Sequence, residues 1–101
     1  MKIFPKIALS TREGDMVFLR NDEIKYCTSS GSYTHIFASK ERKFTVAKRL
    51  KIVTDLLADD NFVRIHHSHL VNLSHVKYYR KAESPFIELS CGERLPISKA
   101  K

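Results

Sequence analysis

The chain is 101 residues long and 43% hydrophobic, which allows one domain with a single core and excludes a second domain. Its 18 lysines and arginines exceed its 11 acidic residues and leave a net charge of +7. This excess favours an anionic partner, although small basic domains without one also occur. The sequence has neither the apolar run of a signal peptide nor a stretch as long as a membrane span, so a cytoplasmic location is expected.

Short β-rich segments follow one another through the first half of the chain. Gly14 can take a positive φ and close a hairpin between the first two segments. A small-residue loop at positions 29–32 separates the next two. The strands predicted here are residues 3–10, 15–20, 24–28, 33–39 and 43–47.

One segment changes its hydrophobic period to that of a helix. When residues 49–59 are placed on a helix, one apolar stripe forms from Leu50, Ile52, Val53, Leu56 and Leu57. The sequence therefore predicts a single helix. Beyond it, β-favouring residues resume, and the last predicted strands are residues 75–81, 86–90 and 94–98.

Residues 62–73 interleave apolar anchors with an arginine, three histidines, a serine and an asparagine. The pattern predicts a buried strand that enters a polar turn, followed by a second strand that returns to the core. A turn held in this way suits the presentation of hydrogen-bond donors to an anionic partner. The residues expected in the core are Phe62, Val63, Ile65, Leu70, Val71 and Leu73.

Three motifs in this order resemble the LytTR-type DNA-binding domain of bacterial response regulators. The central motif is similar to the family pattern Phe-x-Arg-x-His-Arg-Ser-x-x-Val-Asn and departs from it only at His67. Residues 24–34 resemble the family's early strand, loop and strand. Residues 91–98 resemble its Gly-x-x-Leu-Pro-Val-Ser ending, so the resemblance extends over nearly the whole chain.

The resemblance implies a mainly β fold for one domain over residues 1–101. This fold has about ten short strands in three small antiparallel sheets, with one short helix. Ser98 is a good cap for a further helix, but the sequence stops at Lys101. The family's usual C-terminal helix is therefore expected to be missing.

The resemblance also implies sequence-specific binding of double-stranded DNA by a transcription regulator of a two-component system. In such domains the loop before Tyr33 enters a DNA groove, the turn carrying His67 is a second reading element, and a third follows Ser98. Lys99 and Lys101 follow that serine where the family often has arginine. We therefore expect the element after Ser98 to recognise DNA bases more weakly. Direct-repeat half-sites, bent DNA and a receiver or sensor module elsewhere in the full protein are further implications. The residues assigned to DNA are Ser32, Tyr33, Lys51, Arg64, His66, His67, Ser68, Ser98, Lys99 and Lys101.

Several of these residues also have structural roles open to them. Arg64 can grip a phosphate bidentately or pair with an internal acid. His66, Ser68 and Asn72 can brace the turn through backbone hydrogen bonds, and for Asn72 this is the predicted role. Lys51 and its basic neighbours can follow the DNA backbone or form a solvated helix face.

Neither catalysis nor metal binding is expected. The clustered histidines lack the companion ligands of a typical metal site. Cys27 and Cys91 lack both metal-type spacing and the neighbours of an activated nucleophile. No cofactor is implied.

Two rival functions remain open. A basic β-domain can bind an acidic protein partner, and exposed tyrosines can stack the bases of a single-stranded nucleic acid. Alternation along a strand sends adjacent Tyr78 and Tyr79 to opposite faces, which prevents the pair from forming one platform. The other candidates for stacking are Tyr26 and Tyr33.

Overall fold

The computed structural model describes residues 6–57, 61–81 and 83–98, and within them the chain forms ten strands and one α-helix. Residues 3–5, predicted as part of the first strand, lie outside the described residues. The strands before the helix are β1 (Lys6–Ser10), β2 (Met16–Arg20), β3 (Ile24–Ser30), β4 (Tyr33–Ala38) and β5 (Arg42–Val46). The helix is α1 (Leu50–Leu57). The strands after it are β6 (Phe62–His66), β7 (His69–Asn72), β8 (Val76–Arg80), β9 (Phe86–Leu89) and β10 (Arg94–Pro96).

The strands form three antiparallel sheets. β1 and β2 make a two-stranded ribbon, and the last three strands make a sheet in the order β10-β9-β8. The other five strands form a central sheet in the order β5-β4-β3-β7-β6. The predicted fold class, mainly β with ten short strands in three small antiparallel sheets and one helix, is confirmed.

Helix α1 covers one face of the central sheet. Leu50, Val53 and Leu57 are buried, because their spacing puts them on one side of the helix. Ile52 and Leu56, which belong to the same apolar stripe, have side chains that are 46% and 45% exposed. At about 100° per residue, these two lie roughly 90–130° around the helix from the centre of the buried stripe. The rest of this core consists of Leu9, Leu19, Ile24, Cys27, Ile36, Ala38, Val46 and Leu70.

The opposite face of the central sheet packs against the sheet β10-β9-β8. This second core consists of Tyr26, Val71, Ile87, Leu89 and Leu95. The ring of Tyr26 stacks on Phe37 of the neighbouring strand, with centroids 4.4 Å apart. Burial is the main cause that raises the pKa of Tyr26 to about 12, so its phenol stays neutral inside the core. The central sheet is thus covered on both faces, which makes it a rigid base for the turns at its ends.

Local details differ from the prediction in three places. β3 runs on to Ser30, so the loop expected at 29–32 is a two-residue turn in which Gly31 takes a φ of 61°. Val63 and Leu73, both expected in the core, are 37% and 46% exposed. Val63 lies on an edge strand of the central sheet, and Leu73 lies in a 3₁₀ turn that follows β7.

Both cysteines are free thiols. Cys27 is buried in the core under α1, and burial raises its pKa to about 12. Cys91 is exposed. The buried thiol is therefore an inert core residue. No helix among the described residues is long and apolar enough to cross a membrane.

Candidate nucleic-acid interface

Two turns lie side by side at one end of the central sheet. β3 is the neighbour of both β4 and β7, so the β3–β4 turn and the β6–β7 turn project from adjacent strands. Ser30 pairs with Tyr33 across the first turn, where Ser32 and Tyr33 are exposed. The amide of Ser29 donates a hydrogen bond of 2.9 Å to the carbonyl of Ser68 in the second turn. The structure thus brings together predicted site residues from two distant segments.

The guanidinium of Arg64 braces the β6–β7 turn. Its Nε donates to the carbonyl of His66 at 3.1 Å, and its Nη2 donates to the carbonyl of His67 at 2.5 Å. The amide of Ser68 donates to Nδ1 of His66 at 3.1 Å. Within the described residues, Arg64 therefore pairs with main-chain oxygens and not with an acid. A guanidinium has five N–H donors, so this exposed side chain keeps donors for an anion.

Three histidine rings lie in contact around the same turn. The centroids of His66 and His67 are 4.7 Å apart, and those of His66 and His69 are 5.3 Å apart. Nδ1 of His69 lies 3.2 Å from Oγ1 of Thr28, and burial, followed by the charges of His66 and His67, lowers the pKa of His69. His67 is exposed, whereas His66 and His69 are partly buried. In the described part of the chain, no three His, Cys, Asp or Glu residues are arranged to hold a metal ion.

Asn72 forms the centre of a hydrogen-bond network under these strands and is 2% exposed. Its Nδ2 donates to the carbonyl of Ile24 at 2.8 Å and to that of Asn21 at 3.3 Å. Its Oδ1 accepts from Nδ2 of Asn61 at 2.6 Å and from the amide of Ser74 at 3.0 Å. Asn72 therefore braces the chain, but at the opposite end of β7 from the β6–β7 turn that the sequence predicted it to brace.

Ser98 lies beside β6. Its amide donates a hydrogen bond of 2.7 Å to the carbonyl of Ile65, which holds the segment after β10 next to the turn braced by Arg64. An open groove of about 380 Å³ is lined by both segments, through Val63, Arg64, Ile65, His66, His67, Ile97 and Ser98. The predicted contacts Lys99 and Lys101 lie outside the described residues.

The segment between β5 and α1 reaches the same end of the sheet. The hydroxyl of Thr34, next to the β3–β4 turn, donates to the carbonyl of Lys48 at 2.7 Å. The side chains of Lys48 and Arg49 are exposed. Lys51 follows in the first turn of α1, and its Nζ lies 3.9 Å from Oδ2 of Asp55. Such an exposed pair contributes little energy, so Lys51 can exchange Asp55 for another anion.

Comparison with known proteins now identifies the family. Residues 14–101 match the family model of the LytTr DNA-binding domain. The chain belongs to this family. The solved LytTr DNA-binding domain of a Bacillus cereus protein, described as a methyl-accepting/DNA response regulator, has a TM-score of 0.77 and 25% identity, over 93% of this chain and 86% of that chain. No curated protein matches the sequence. The resemblance seen in the three motifs is confirmed, and the family is one of DNA-binding domains rather than enzymes.

One basic residue at this end of the LytTr domain was not among the predicted contacts. The β1–β2 turn meets the central sheet where Thr11 bridges Val46, and the amide of Arg12 donates to the carbonyl of Thr45 at 2.8 Å. The guanidinium carbon of Arg12 lies 5.5 Å from the centroid of the Tyr33 ring. The sequence carried no signal for this contact beyond the charge of Arg12, because it joins strands of two different sheets.

A row of polar side chains crosses the central sheet of the LytTr domain between the second turn and Arg12. Its members, each paired with the next across neighbouring strands, are His69, Thr28, His35 and Thr45. Nδ1 of His35 lies 2.8 Å from Oγ1 of Thr45. Burial, followed by the positive charges of Lys43 and Arg12, lowers the pKa of His35. The row therefore favours neutral imidazoles bonded to hydroxyl groups.

Proposed function

We propose that this LytTr domain binds double-stranded DNA sequence-specifically, as the cytoplasmic output domain of a transcription regulator. The observation that carries the proposal is the meeting of two turns, a basic segment and Ser98 at one end of the central sheet. Base edges lie inside a groove, so they are reached by exposed turns on a rigid base. The net charge of +7 adds long-range attraction to the phosphates.

Base reading is assigned to the exposed groups of the two turns. Ser32 and Tyr33 offer hydroxyl groups, which both donate and accept hydrogen bonds, and His67 offers a ring nitrogen. His66 stacks against His67, and the amide of Ser68 is bonded to His66. We therefore assign His66 and Ser68 to the same reading element, where they hold His67 in position.

Phosphate binding is assigned to the basic side chains around the turns. Arg64 retains donors after bracing the β6–β7 turn, and Lys51 is held only by a weak pair. Ser98 sits beside β6 at this end of the sheet. We assign Lys99 and Lys101 to phosphate contacts as point charges, without the planar fork of arginine.

The tyrosines argue against a single-stranded nucleic acid as the ligand. Base stacking needs accessible aromatic faces along one groove. Tyr26 is buried, and Arg12 lies over the ring of Tyr33. Tyr78 and Tyr79 are exposed, but they are consecutive in β8 and project to opposite faces. The four side chains therefore do not share one platform.

We also propose the regulatory context implied by the family. The description of the similar Bacillus cereus structure names a response regulator. We accordingly place a receiver or sensor module elsewhere in the full-length protein and treat residues 1–101 as its single LytTr domain. Two such domains would bind direct-repeat half-sites on one bent duplex.

A selection from random duplex DNA tests the function directly. The domain is expected to enrich one sequence motif, and fluorescence anisotropy then compares the selected duplex, an unrelated duplex and the corresponding single strand. Contacts to four to six phosphates would give a slope of log K against log salt of about −4 to −5. Equal affinity for both duplexes at every salt concentration would contradict sequence-specific binding. Tighter binding of the single strand would favour the stacking alternative.

A further inference from the structure

The β1–β2 turn holds the backbone of Arg12 in a fixed place. The amide of Thr11 donates to the carbonyl of Asp15 at 2.8 Å, and the amide of Asp15 donates to the hydroxyl of Thr11 at 3.1 Å. Gly14 supplies a φ of 99°, which a side chain would strain. The bond of 2.8 Å from the amide of Arg12 to the carbonyl of Thr45 ties this turn to the central sheet. The turn is therefore attached to the central sheet at Arg12 itself.

No acid among the described residues forms an ion pair with the guanidinium of Arg12. This guanidinium lies over the ring of Tyr33. An aromatic ring attracts a cation but does not cancel its charge as a carboxylate does. Glu13 and Asp15 in the same turn are exposed, so water screens the attraction of their carboxylates for Arg12.

Further donors lie along the same edge of the central sheet. Lys43, on the edge strand β5, has its Nζ 5.6 Å from the ring centroid of Phe37. Arg12 and Lys43 both act electrostatically on His35, which is paired with Thr45. Two cations near hydroxyl and imidazole groups form a surface that suits a phosphate oxygen.

We propose that Arg12 binds a backbone phosphate of the DNA next to the β3–β4 turn, which makes the β1–β2 turn a further contact element of the interface. This assignment rests on the proposed function, since duplex DNA must occupy this end of the sheet. A turn that enters a groove has phosphates on either side of it. The guanidinium of Arg12, whose carbon lies 5.5 Å from the centroid of the Tyr33 ring, is placed to reach one of these phosphates.

The strand order predicts how far this contact lies from the other arginine. From β6, which carries Arg64, to β5, beside Arg12, there are four strand spacings. At ~4.8 Å each, they span about 19 Å. For a duplex whose axis runs across these strands, with a rise of ~3.4 Å per base pair, this distance corresponds to roughly five to six base pairs between the phosphates bound by Arg64 and Arg12.

The test compares two arginines in similar settings. Arg12→Gln removes the proposed contact, whereas Arg80→Gln removes an arginine 5.9 Å from the ring of Tyr78 on the other sheet. Both variants lower the net charge by one unit. In anisotropy titrations we expect Arg12→Gln to weaken selected and unrelated duplexes alike, by roughly twofold to fivefold, the size of one exposed ion pair. Its salt slope is expected to fall by about 0.9. Arg80→Gln is expected to match wild type.

Duplex length provides a second readout. Shortening the selected duplex from one end is expected to remove the difference between wild type and Arg12→Gln, and shortening it from the other end is not. If Arg12→Gln and Arg80→Gln lose the same amount of DNA affinity, or if Arg12→Gln loses none, the assignment is overturned. If Arg64→Ala still weakens binding in that case, the proposed function stands without it. A wild-type domain that binds no duplex would overturn both.

Discussion

Nη2 of Arg64 donates a hydrogen bond of 2.5 Å to the main-chain carbonyl of His67. Arg64 is thus a cation at the candidate interface and also the brace of the turn that carries a proposed base reader. The two residues act as one unit, so the effects of substituting them are not expected to add. The brace uses the geometry of the guanidinium, whereas phosphate attraction uses its charge. Substitutions can separate these two contributions.

Arg64→Ala and Arg64→Lys should differ in a diagnostic way. Alanine removes both charge and brace, so we expect weaker binding to all duplexes, a salt slope smaller by about one unit, and less preference for the selected sequence. Lysine keeps the charge without the planar fork, so it should retain most of the slope and lose preference. Anisotropy titrations on selected and unrelated duplexes measure the salt slope and the sequence preference, after urea unfolding has shown that each variant is folded. A lysine variant with full preference would contradict the bracing role.

Asn72→Ala should destabilise the fold strongly. The substitution leaves the carbonyl of Ile24 buried without its bond and removes the acceptor for Asn61 and for the amide of Ser74. We expect a loss of about 2–4 kcal/mol in the free energy of unfolding, measured with urea. Ser74→Ala is the control, since its hydroxyl is exposed and its loss should cost about 1 kcal/mol or less. Equal losses in the two variants would show that the network around Asn72 contributes little.

The secondary structure was largely predictable because alternation and turn residues are local properties. Seven of the described strands, β2 to β5 and β8 to β10, begin within one residue of a predicted start. β6 and β7 lie within the strand, turn and strand predicted for residues 62–73, and the helix lies inside the predicted range. The exposure of Ile52 and Leu56 could not be predicted from the apolar stripe. Periodicity counts apolar residues, but it does not reveal how wide a stripe the neighbouring sheet can cover.

The site was predictable in its parts and not in its assembly. Family motifs indicated Tyr33 and His67, but their adjacency depends on the strand order β4-β3-β7, which no local pattern encodes. The contact between Arg12 and Tyr33 joins two sheets and had no sequence signal. Arg64 was predicted with two alternative partners, phosphate or acid, and within the described residues the structure adds a third, the carbonyls of its own turn.

Acid should destabilise the domain through two histidines. Burial is the first cause that lowers the pKa of His69 and of His35 from 6.5. The unfolded chain then binds more protons than the fold, so stability is present above pH 6.5 and is lost as pH falls through the lowered values. Urea unfolding at matched salt should show this loss, and His69→Asn or His35→Asn should each reduce it. The pKa of Glu23 is also lowered, first by the hydrogen bond from the Arg20 amide, but this affects stability only below pH 4.5. If both His69→Asn and His35→Asn lose as much unfolding free energy in acid as wild type does, these two histidines are not the cause.

DNA binding should depend on the side chain of His67. The ring is exposed in the β6–β7 turn and stacks on His66, with centroids 4.7 Å apart. His67→Arg places a permanent charge where a phosphate or a guanine edge is expected, and it can also stack on His66. It should therefore strengthen binding of the selected duplex by roughly twofold to fivefold. His67→Ala removes the ring, so it should weaken that binding and reduce the preference for the selected sequence. Anisotropy titrations of both variants and wild type, at one pH and matched salt, measure affinity and preference. If His67→Ala keeps the wild-type affinity and base preference, His67 only shapes the turn.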